Sequence, residues 1–527
     1  MDEKRFPIII NITKRIRLKD NKIFISGICL TKGINIKGFN LNKINIVIGD
    51  NKYNIKFLLK KGIIFISKYR INRYKFEIPL KDLSNIDIQN KIIVNYDDAY
   101  YGRIIYNVFD LKKGRYRNSK IMKVDNKSIY LRQTIKNTMY LTVRETCIYD
   151  TFKGRFKIFI GYFLSKLYLK NNIVLLYEKE CKGYGESAST LYEKLIDKGY
   201  KVYYIINKDN ALLSEIDDKY KNNFIYKDSL KHIIYFFKCN KFLSSESIDH
   251  SMQLRIANRK VQRKLQSKKI QYVFLQHGVM YMVSLNSDLR SGFRKKNIKL
   301  HKIVVSSKLE AKHFIDMANF KMDDLYLCGL PKFDKAIKYE DADKIVIMPT
   351  WRRWEVNETT TDFENTKYFK MMQRIISGIP KKYIDKIIIL PHPLMLSAMK
   401  NNPKYKKYIP DENTTYDDIL RTCALLITDY SSISYDAFYR GSNVIFYWEE
   451  KDECMSKYGE GTKLMLNEKN AFGDVVYNSK ELSKIFDNNY MKNQNNKYKN
   501  RYKKIVKFSD NKNTERLIKM LIKDKVL

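Results

Sequence analysis

Two histidines stand where apolar, strand-like runs end, the position at which a parallel sheet presents side chains to a ligand. His277 follows the run YVFLQ and precedes Gly278, and His392 follows IIILP and precedes Pro393. An imidazole at a strand exit can act as a general base, and a small neighbour lets a ligand approach it. Pro393 would suit the first turn of a helix, so a phosphate could meet both His392 and the helix N-terminus. For each histidine, an ordinary capping or surface role is the alternative.

The segment ITDYSSISYDAF holds the densest group of polar residues. Thr428 and Asp429 end an apolar strand, and Ser431 and Ser432 would open a helix that contains Asp436 about one turn in. Serine hydroxyls and free backbone N–H groups at a helix start form an anion cradle. Asp436 would repel a phosphate, so it suits a hydroxyl group of ribose or glycerol. Ser and Asp are also ordinary N-cap residues, which is the structural alternative.

Two further loops carry cations next to strand-like runs. Pro349, Thr350 and Arg352 follow KIVIM, and Lys332 lies in GLPKFD after DLYLC. Guanidinium and ammonium groups suit phosphate, although each loop could be purely structural. The sequence has no Walker loop, GxGxxG or HExxH pattern. We therefore expect no dedicated metal site, and no cofactor is certain.

The elements that must position these residues fall into three parts. Residues 1–140 contain short runs rich in Ile, Phe, Val and Tyr between polar turns, typical of a β-sandwich-like accessory domain. Residues 141–335 begin with a basic linker, after which buried-type strands alternate with helical stretches. Residues 336–527 repeat that pattern before a basic tail. The alternation predicts an α/β fold with a pair of Rossmann-like domains facing a cleft, where ligands bind outside the carboxyl ends of the strands.

The composition indicates an anionic partner. Among 527 residues, 100 Lys and Arg face 57 Asp and Glu, which gives a net charge of +43. Such a charge suits nucleic acid, an acidic membrane surface or a phosphate-rich substrate. No RNP-type, helix-turn-helix or zinc-finger signature appears, so we expect no nucleic acid, and a nucleic-acid-binding protein is the alternative of another class. The seven scattered cysteines favour a reducing compartment over a disulfide framework.

The apolar runs are too short to cross a bilayer, which takes roughly 18 consecutive apolar residues. The nearest candidate, 156–169, is interrupted by Lys157 and Lys166, and the acid-free run 255–269 adds positive charge. The amino-terminal sequence lacks the long apolar core of a secretory signal. We expect a cytoplasmic protein with a peripheral contact to the inner face of the membrane through these two stretches.

Taken in order, the motifs resemble the CDP-glycerol glycerophosphotransferases, the teichoic acid primases and polymerases of the GT-B fold class. The resemblance covers roughly residues 171–490 and rests on QHG (276–278), SS (306–307), GLPKFD (329–334), PTWR (349–352), HP (392–393) and TDYSS (428–432) with Asp436. It implies transfer of a glycerol-phosphate unit from CDP-glycerol, or a similar CDP-polyol, to a hydroxyl group of an anionic polymer or lipid-linked acceptor. CMP would be released. A GT-B glycosyltransferase that uses a nucleotide sugar for capsule or glycan synthesis is the alternative.

The resemblance also implies a role for each matching position. His277 matches the catalytic base, and His392 matches the second essential histidine, near the pyrophosphate. The positions implied in substrate and nucleotide binding are Gly278, Lys332, Pro349, Thr350, Arg352, Thr428, Asp429, Ser431, Ser432 and Asp436. The chain departs from the family at 279–282, where the family often reads Thr-Pro-Leu-Lys, and at Lys332, where it often has Arg. The acceptor, and the choice of glycerol or ribitol, therefore stay open.

Overall fold

The structure is a computed structural model in which the chain forms two compact units. The strand-rich unit comprises residues 1–167 and 253–267, and the α/β unit comprises residues 168–252 and 268–527. The structure describes residues 8–32, 40–49, 51–58, 65–66, 69–85, 89–96, 100–107, 114–134, 136–168, 172–286, 293–295, 300–350, 352–355, 363–391, 396, 399–400, 402–411 and 414–527. The three-part division of the sequence stays a prediction, and each unit is described by itself.

The strand-rich unit is built from strands of 2 to 12 residues that are linked by hydrogen bonds into one sheet. The strands are β1 Ile8–Lys19, β2 Lys22–Lys32, β3 Ile44–Ile48, β4 Asn51–Asn54, β5 Lys56–Leu58, β6 Phe65–Ile66, β7 Tyr69–Pro79, β8 Gln89–Tyr96, β9 Tyr100–Ile105, β10 Arg117–Asn118, β11 Met122–Val124, β12 Lys127–Gln133 and β13 Met139–Glu145. The main order is β10-β12-β13-β8-β9-β1-β2-β7-β5. Within the described ranges, β1 and β9 run parallel and the other pairs are antiparallel. Two helices, Phe152–Leu167 and Arg259–Leu265, belong to the same unit.

Alternating apolar side chains give this unit its core. Ile23 and Ile25 of β2 are fully buried, and they share one apolar cluster with side chains from β3, β7, β8, β12 and β13. Asp20 and Asn21, between β1 and β2, have φ values of 48° and 53°. Two consecutive positive φ values make the tight turn that matches the twist of antiparallel strands. The strand-rich character predicted for the N-terminal part is therefore confirmed.

A buried ion pair ties the last strands of the unit to the 3-10 turn Ile148–Asp150, which precedes the helix Phe152–Leu167. Asp150 is 4% exposed, and both of its oxygens accept hydrogen bonds from Arg144 at 2.7 Å. The Cys147 backbone N–H and the Ser128 hydroxyl also donate to Asp150, each at 2.9 Å. Burial alone would raise the pKa of Asp150, but these hydrogen bonds outweigh burial and lower the pKa.

The α/β unit contains two parallel sheets. The first sheet has the order β16-β15-β14-β17-β18-β19-β20, where the strands are β14 Val174–Tyr177, β15 Tyr203–Ile206, β16 Phe224–Tyr226, β17 Lys241–Ser244, β18 Gln271–Phe274, β19 Lys302–Val305 and β20 Leu325–Leu327. The second sheet has the order β22-β21-β23-β24-β25, where the strands are β21 Lys344–Ile347, β22 Ile387–Ile389, β23 Cys423–Thr428, β24 Asn443–Tyr447 and β25 Asp474–Val476. Because parallel strands expose their carboxyl ends on one edge, each sheet can present several loops to one ligand.

Helices connect the strands of both sheets. Those of the first sheet are Ser187–Asp197, Asp218–Lys221, Leu230–Lys238 and Lys308–Ala318. Those that follow in the second series are Lys367–Ser377, Pro403–Lys406, Tyr416–Thr422, Ile433–Tyr439, Lys451–Lys457, Ser479–Asn489, Asn496–Ile505 and Asn513–Lys523. The strand and helix alternation predicted from the sequence is confirmed.

The last two helices return to the first sheet. The carboxylate of Asp334 accepts the backbone N–H groups of Asn513 and Thr514 at 2.9 and 2.7 Å, at the start of the final helix. Near its end, Asp524 accepts a 2.7 Å hydrogen bond from the hydroxyl of Tyr326 in β20. The chain therefore crosses between the sheets twice, once before β21 and once before the helix Asn496–Ile505.

We expect loss of the ion pair between Arg144 and Asp150 to lower the free energy of unfolding measurably. Asp150→Asn keeps the side-chain size but leaves the Arg144 cation buried without its counter-charge, which typically costs about 3–5 kcal/mol. We expect the urea midpoint of the strand-rich unit, followed by circular dichroism, to fall. The pKa of Asp150 is lowered in the folded state, so its contribution is present above the unfolded pKa and is lost as the pH falls through the folded pKa.

The stabilities of the wild type and Asp150→Asn should therefore converge in acid. Glu145→Gln is the matched control, because Glu145 is exposed and lies on the same strand as Arg144. An unchanged midpoint in Asp150→Asn would show that the ion pair contributes nothing to stability.

Candidate active site

A cavity of about 800 Å³ opens in the α/β unit where loops from the carboxyl ends of both parallel sheets meet. The residues predicted from the sequence that line it are His277, Lys332, Ser431, Ser432 and Asp436. His277 follows β18 of the first sheet, and the serine pair follows β23 of the second sheet. The sheet topology thus brings distant parts of the sequence to one place.

His277 stands at the mouth of the loop after β18. Gln276 before it has a φ of 59°, which turns the chain sharply out of the strand, and the His277 side chain is exposed. Its Nδ1 lies 3.4 Å from the carbonyl oxygen of Ser245. When Nδ1 donates its proton to that carbonyl, Nε2 carries the lone pair that a general base needs. A Cβ on Gly278 would lie 3.0 Å from the hydroxyl oxygen of Ser432, so glycine permits the close approach of the two loops.

Lys332 places a cation next to His277. It lies in the short turn Pro331–Lys335, and its Nζ is 2.5 Å from a carboxylate oxygen of Asp436. The same Nζ donates a 2.6 Å hydrogen bond to the backbone carbonyl of His277. Lys332 therefore links the catalytic-base candidate of the first sheet to the helix that carries Asp436 in the second series.

The two serines precede the helix Ile433–Tyr439. Ser432 occupies the N-cap position, but its side chain makes no capping hydrogen bond. The Ser431 hydroxyl accepts from the Ile433 backbone N–H only at 3.5 Å. Neither hydroxyl is strongly engaged by the helix, so both can contact a ligand in the cavity.

Four other predicted binding residues lie behind the cavity rather than in its lining. Arg352 is 1% exposed and Asp429 is fully buried, and they form an ion pair at 2.8 Å. Asp429 also accepts the backbone N–H of Thr350 at 2.7 Å. The Thr428 hydroxyl donates to the carbonyl of Met348 at 2.6 Å. These contacts hold the loops after β21 and β23 together, and the predicted role of these residues in binding stays a prediction.

Two of the predicted positions need separate mention. Pro349 is buried, and its carbonyl accepts a 3.3 Å hydrogen bond from the Tyr368 hydroxyl. His392, with Pro393 and Trp351, lies outside the described residues.

Sequence reasoning missed Glu310, which fixes the loop that carries His277. Glu310 is fully buried, and its two carboxylate oxygens accept the backbone N–H groups of Met280 at 2.8 Å and Ser306 at 2.6 Å. Gln276 donates to the same carboxylate at 3.3 Å. Burial raises the pKa of Glu310, against the effect of these hydrogen bonds. The available signal was the pattern Ser-x-x-Glu at 307–310, which looks like an ordinary capping box.

Carboxylates crowd the first-sheet wall of the cavity. Burial and the neighbouring Glu186 raise the pKa of Glu246 to about 7, and burial lowers the pKa of the adjacent His250 to about 4. The His250 Nε2 lies 3.8 Å from a Glu246 oxygen. In the described part of the chain, no three His, Cys, Asp or Glu side chains are grouped closely enough to hold a metal ion.

Comparison with known proteins gives a consistent set of relatives. The profile of the family described as "CDP-Glycerol:Poly(glycerophosphate) glycerophosphotransferase" matches residues 159–523. The minor teichoic acid biosynthesis protein GgaB of Bacillus subtilis (strain 168) is 25% identical over 511 residues, which is 92% of this chain and 53% of GgaB. The chain thus spans about half the length of this relative.

Solved structures agree on the fold. The wall teichoic acid polymerase TagF superimposes with a TM-score of 0.51 at 14% identity, over 71% of this chain and 96% of that one. A variant of the same polymerase gives a TM-score of 0.50 with the same coverage. At this identity the likeness shows the fold alone, and it confirms the expected GT-B-like pair of Rossmann-like sheets.

The contacts of Glu310 predict that its loss loosens the His277 loop. Glu310→Ala leaves buried N–H groups of Met280 and Ser306 without an acceptor, at a cost of about 2–4 kcal/mol to the local structure. We expect amide hydrogen exchange at 276–280 and 306 to become roughly a hundredfold faster. Glu310→Gln should restore part of the protection, because its amide oxygen still accepts.

Asp316→Ala is the control, since Asp316 is an exposed carboxylate on the same helix. Unchanged exchange in Glu310→Ala would contradict this role.

Proposed function

Because the chain belongs to the CDP-glycerol:poly(glycerophosphate) glycerophosphotransferase family, we propose that it transfers a glycerol-phosphate unit from CDP-glycerol to a teichoic-acid-type acceptor. The acceptor is a hydroxyl group of an anionic polymer or of a lipid-linked precursor, and CMP is the leaving group. The observation that carries this proposal is the cavity in which His277, Lys332 and the Ser431–Ser432 pair come together.

The proposed reaction is a displacement at phosphorus in which His277 acts as the general base. The acceptor oxygen forms a bond to the β-phosphorus of CDP-glycerol while the bond from that phosphorus to the oxygen of CMP breaks. The proton of the acceptor hydroxyl passes to Nε2 of His277, whose Nδ1 faces the Ser245 carbonyl. General-base catalysis at a positioned imidazole contributes roughly 10²–10⁴-fold to such a step.

Developing negative charge falls next to Lys332 and the two serine hydroxyls. Charge stabilisation and positioning account for most of the catalysis of phosphoryl transfer. The pairing of Lys332 with Asp436 holds the ammonium group in place before the donor arrives. The other carboxylate oxygen of Asp436 suits a polyol hydroxyl rather than a phosphate. We assign His392 to the pyrophosphate side on the strength of the family resemblance.

Nucleotide release from a set of donors tests the proposed reaction, and the His277→Ala variant tests the proposed general base. We expect CMP release from CDP-glycerol or CDP-ribitol and no UDP release from UDP-sugars. His277→Ala should lower turnover by about 10²–10⁴-fold with little change in donor affinity by calorimetry, because the base is lost while the donor contacts remain.

His301→Ala serves as the control, since His301 is not among the residues that line the cavity. Turnover of a UDP-sugar without any CDP-polyol would overturn the proposed donor. Wild-type rates in His277→Ala would overturn the base.

We also propose that the protein contacts a membrane surface from the cytoplasmic side through the helix Phe152–Leu167. Its side chains Phe152, Phe156, Phe159, Phe163 and Leu167 recur every three or four residues, and they are 54–78% exposed. This spacing places them on one face of the helix. Gly154, Ile158, Gly161 and Ser165 of the opposite face are buried.

A cationic helix lies beside this apolar face within the same unit. The Nζ of Lys260 stands 4.2 Å from the ring centre of Tyr162 and 4.8 Å from that of Phe159. The helix Arg259–Leu265 also carries Arg259, Arg263 and Lys264. With 16 residues the apolar helix is short for a span, and no helix among the described residues is long and apolar enough to cross a bilayer. An amphipathic helix with flanking cations lies in the interface of an anionic membrane.

Vesicle sedimentation distinguishes the apolar contribution to membrane binding from the electrostatic contribution. The triple change Phe156→Ser, Phe159→Ser and Phe163→Ser should reduce binding to anionic vesicles at least about tenfold, because each buried ring adds apolar transfer energy. Changing Arg259, Lys260, Arg263 and Lys264 to Glu should abolish the salt-sensitive part.

The matched control replaces Leu58, Ile337 and Met491 by Ser, since these side chains are equally exposed elsewhere. Equal binding to neutral and anionic vesicles, or none to either, would rule out this surface.

A further inference from the structure

Positive charge is concentrated in the strand-rich unit. Residues 1–167 and 253–267 hold 40 Lys and Arg against 13 Asp and Glu, whereas the much longer α/β unit holds 60 against 44. A Lys-rich composition alone would spread the excess in proportion to length. The strand-rich unit therefore carries more than half of the chain's excess of positive charge.

One groove of this unit, of about 430 Å³, is lined by cations and neutral side chains. Lys91 of β8, Arg103 of β9 and Lys136 before β13 are exposed there, and the described lining includes no carboxylate. The groove lies where β8 changes partners. Its pairing with β13 ends at Lys91, and its pairing with β9 begins at Val94. The groove is thus lined by strands of the sheet together with the turn that precedes β13.

A second groove, of about 380 Å³, repeats the same chemistry. It is lined by Lys14, Arg15 and Arg17 of β1 together with Lys120, again with no carboxylate in its described lining. The β1–β2 register shifts between Thr13 and Arg15, which marks a bulge. A bulge bends the strand and re-aims its side chains. All four cations are exposed.

The cavity of the α/β unit differs, because acidic and basic side chains are mixed in its lining. The lining includes Glu186, Glu193, Glu215, Asp217 and Glu246, and two of its cations, Lys332 and Lys335, are paired with acidic residues. The two basic grooves and the mixed cavity occur in one Lys-rich chain. The absence of carboxylates from the lining of both grooves is therefore a local property, and it suits a ligand with repeated negative charges.

We propose that the two basic grooves of the strand-rich unit bind the phosphodiester backbone of the anionic polymer that the enzyme extends. This inference rests on the proposed function for the identity of the polyanion. A phosphodiester chain carries one charge per repeat, so several exposed cations along a groove can each meet a phosphate. The strand-rich unit is then a product-binding module, separate from the residues that perform the transfer.

The test measures binding of a labelled poly(glycerol phosphate) chain to the full-length protein at low salt. Variant one changes Lys91, Arg103 and Lys136 to Glu, and variant two changes Lys14, Arg15 and Arg17 to Glu. The control changes Lys56, Lys123 and Lys127 to Glu, which are exposed cations of the same unit that line neither groove. Circular dichroism checks that all three fold.

We expect each groove variant to lose affinity about tenfold or more and to show a weaker dependence on salt, while the control changes by less than about twofold. CMP release with a monomeric acceptor should stay at the wild-type rate in every variant. Equal losses in the control and groove variants would overturn the proposal, as would full polymer affinity in both groove variants. Loss of anionic-vesicle binding with polymer binding intact would assign the grooves to the membrane and overturn it too.

A failure of the polymer-binding proposal can be distinguished from a failure of the proposed reaction. If the wild type releases no CMP from CDP-glycerol, the proposed function fails. The polymer-binding comparison still gives its own answer, because it needs no turnover.

Discussion

In each parallel sheet of the α/β unit, one buried carboxylate gathers the loops that leave the strands. Glu310 accepts backbone N–H groups from the loops after β18 and β19. Asp429 accepts the Thr350 N–H and pairs with Arg352, joining the loops after β21 and β23. A buried charge is costly unless its oxygens are satisfied, so each carboxylate forces these loops into a single arrangement. The cavity keeps its shape because its two rims are fixed from behind.

Much of the α/β unit follows directly from the sequence. Short, fully apolar runs such as those of β18 and β23 indicate strands buried on both faces, and these occur in parallel sheets. The end of each run then marks the edge where a ligand binds. This reasoning places His277, Ser431 and Ser432 at one cavity without any knowledge of long-range contacts, and the structure brings them together with Lys332 and Asp436.

The sequence does not show which of the other polar residues at strand ends line the cavity and which are buried between loops. Arg352 and Ser431 both follow apolar strands, yet one is buried against Asp429 and the other faces the cavity. Spacing along the sequence does not reveal which residue at a strand end is buried in contact with a neighbouring loop and which faces the cavity. The difference depends on loops that come from other strands. Glu310 was hidden for the same reason, since its role arises only when Met280 and Ser306 meet it in space. The return of the final helices to Asp334 is likewise a long-range contact with no local signal.

That return has a mechanical consequence. Two covalent connections, one through the segment before β21 and one through the segment after Asn489, join the half of the unit that carries His277 to the half that carries Ser431. The final helix is anchored at both ends to the first sheet, by Asp334 and by Tyr326. Sliding one half past the other would stretch at least one connection. The relative motion that stretches neither connection is a rotation of one half against the other about the line through both crossings, during which each rim moves as a rigid piece.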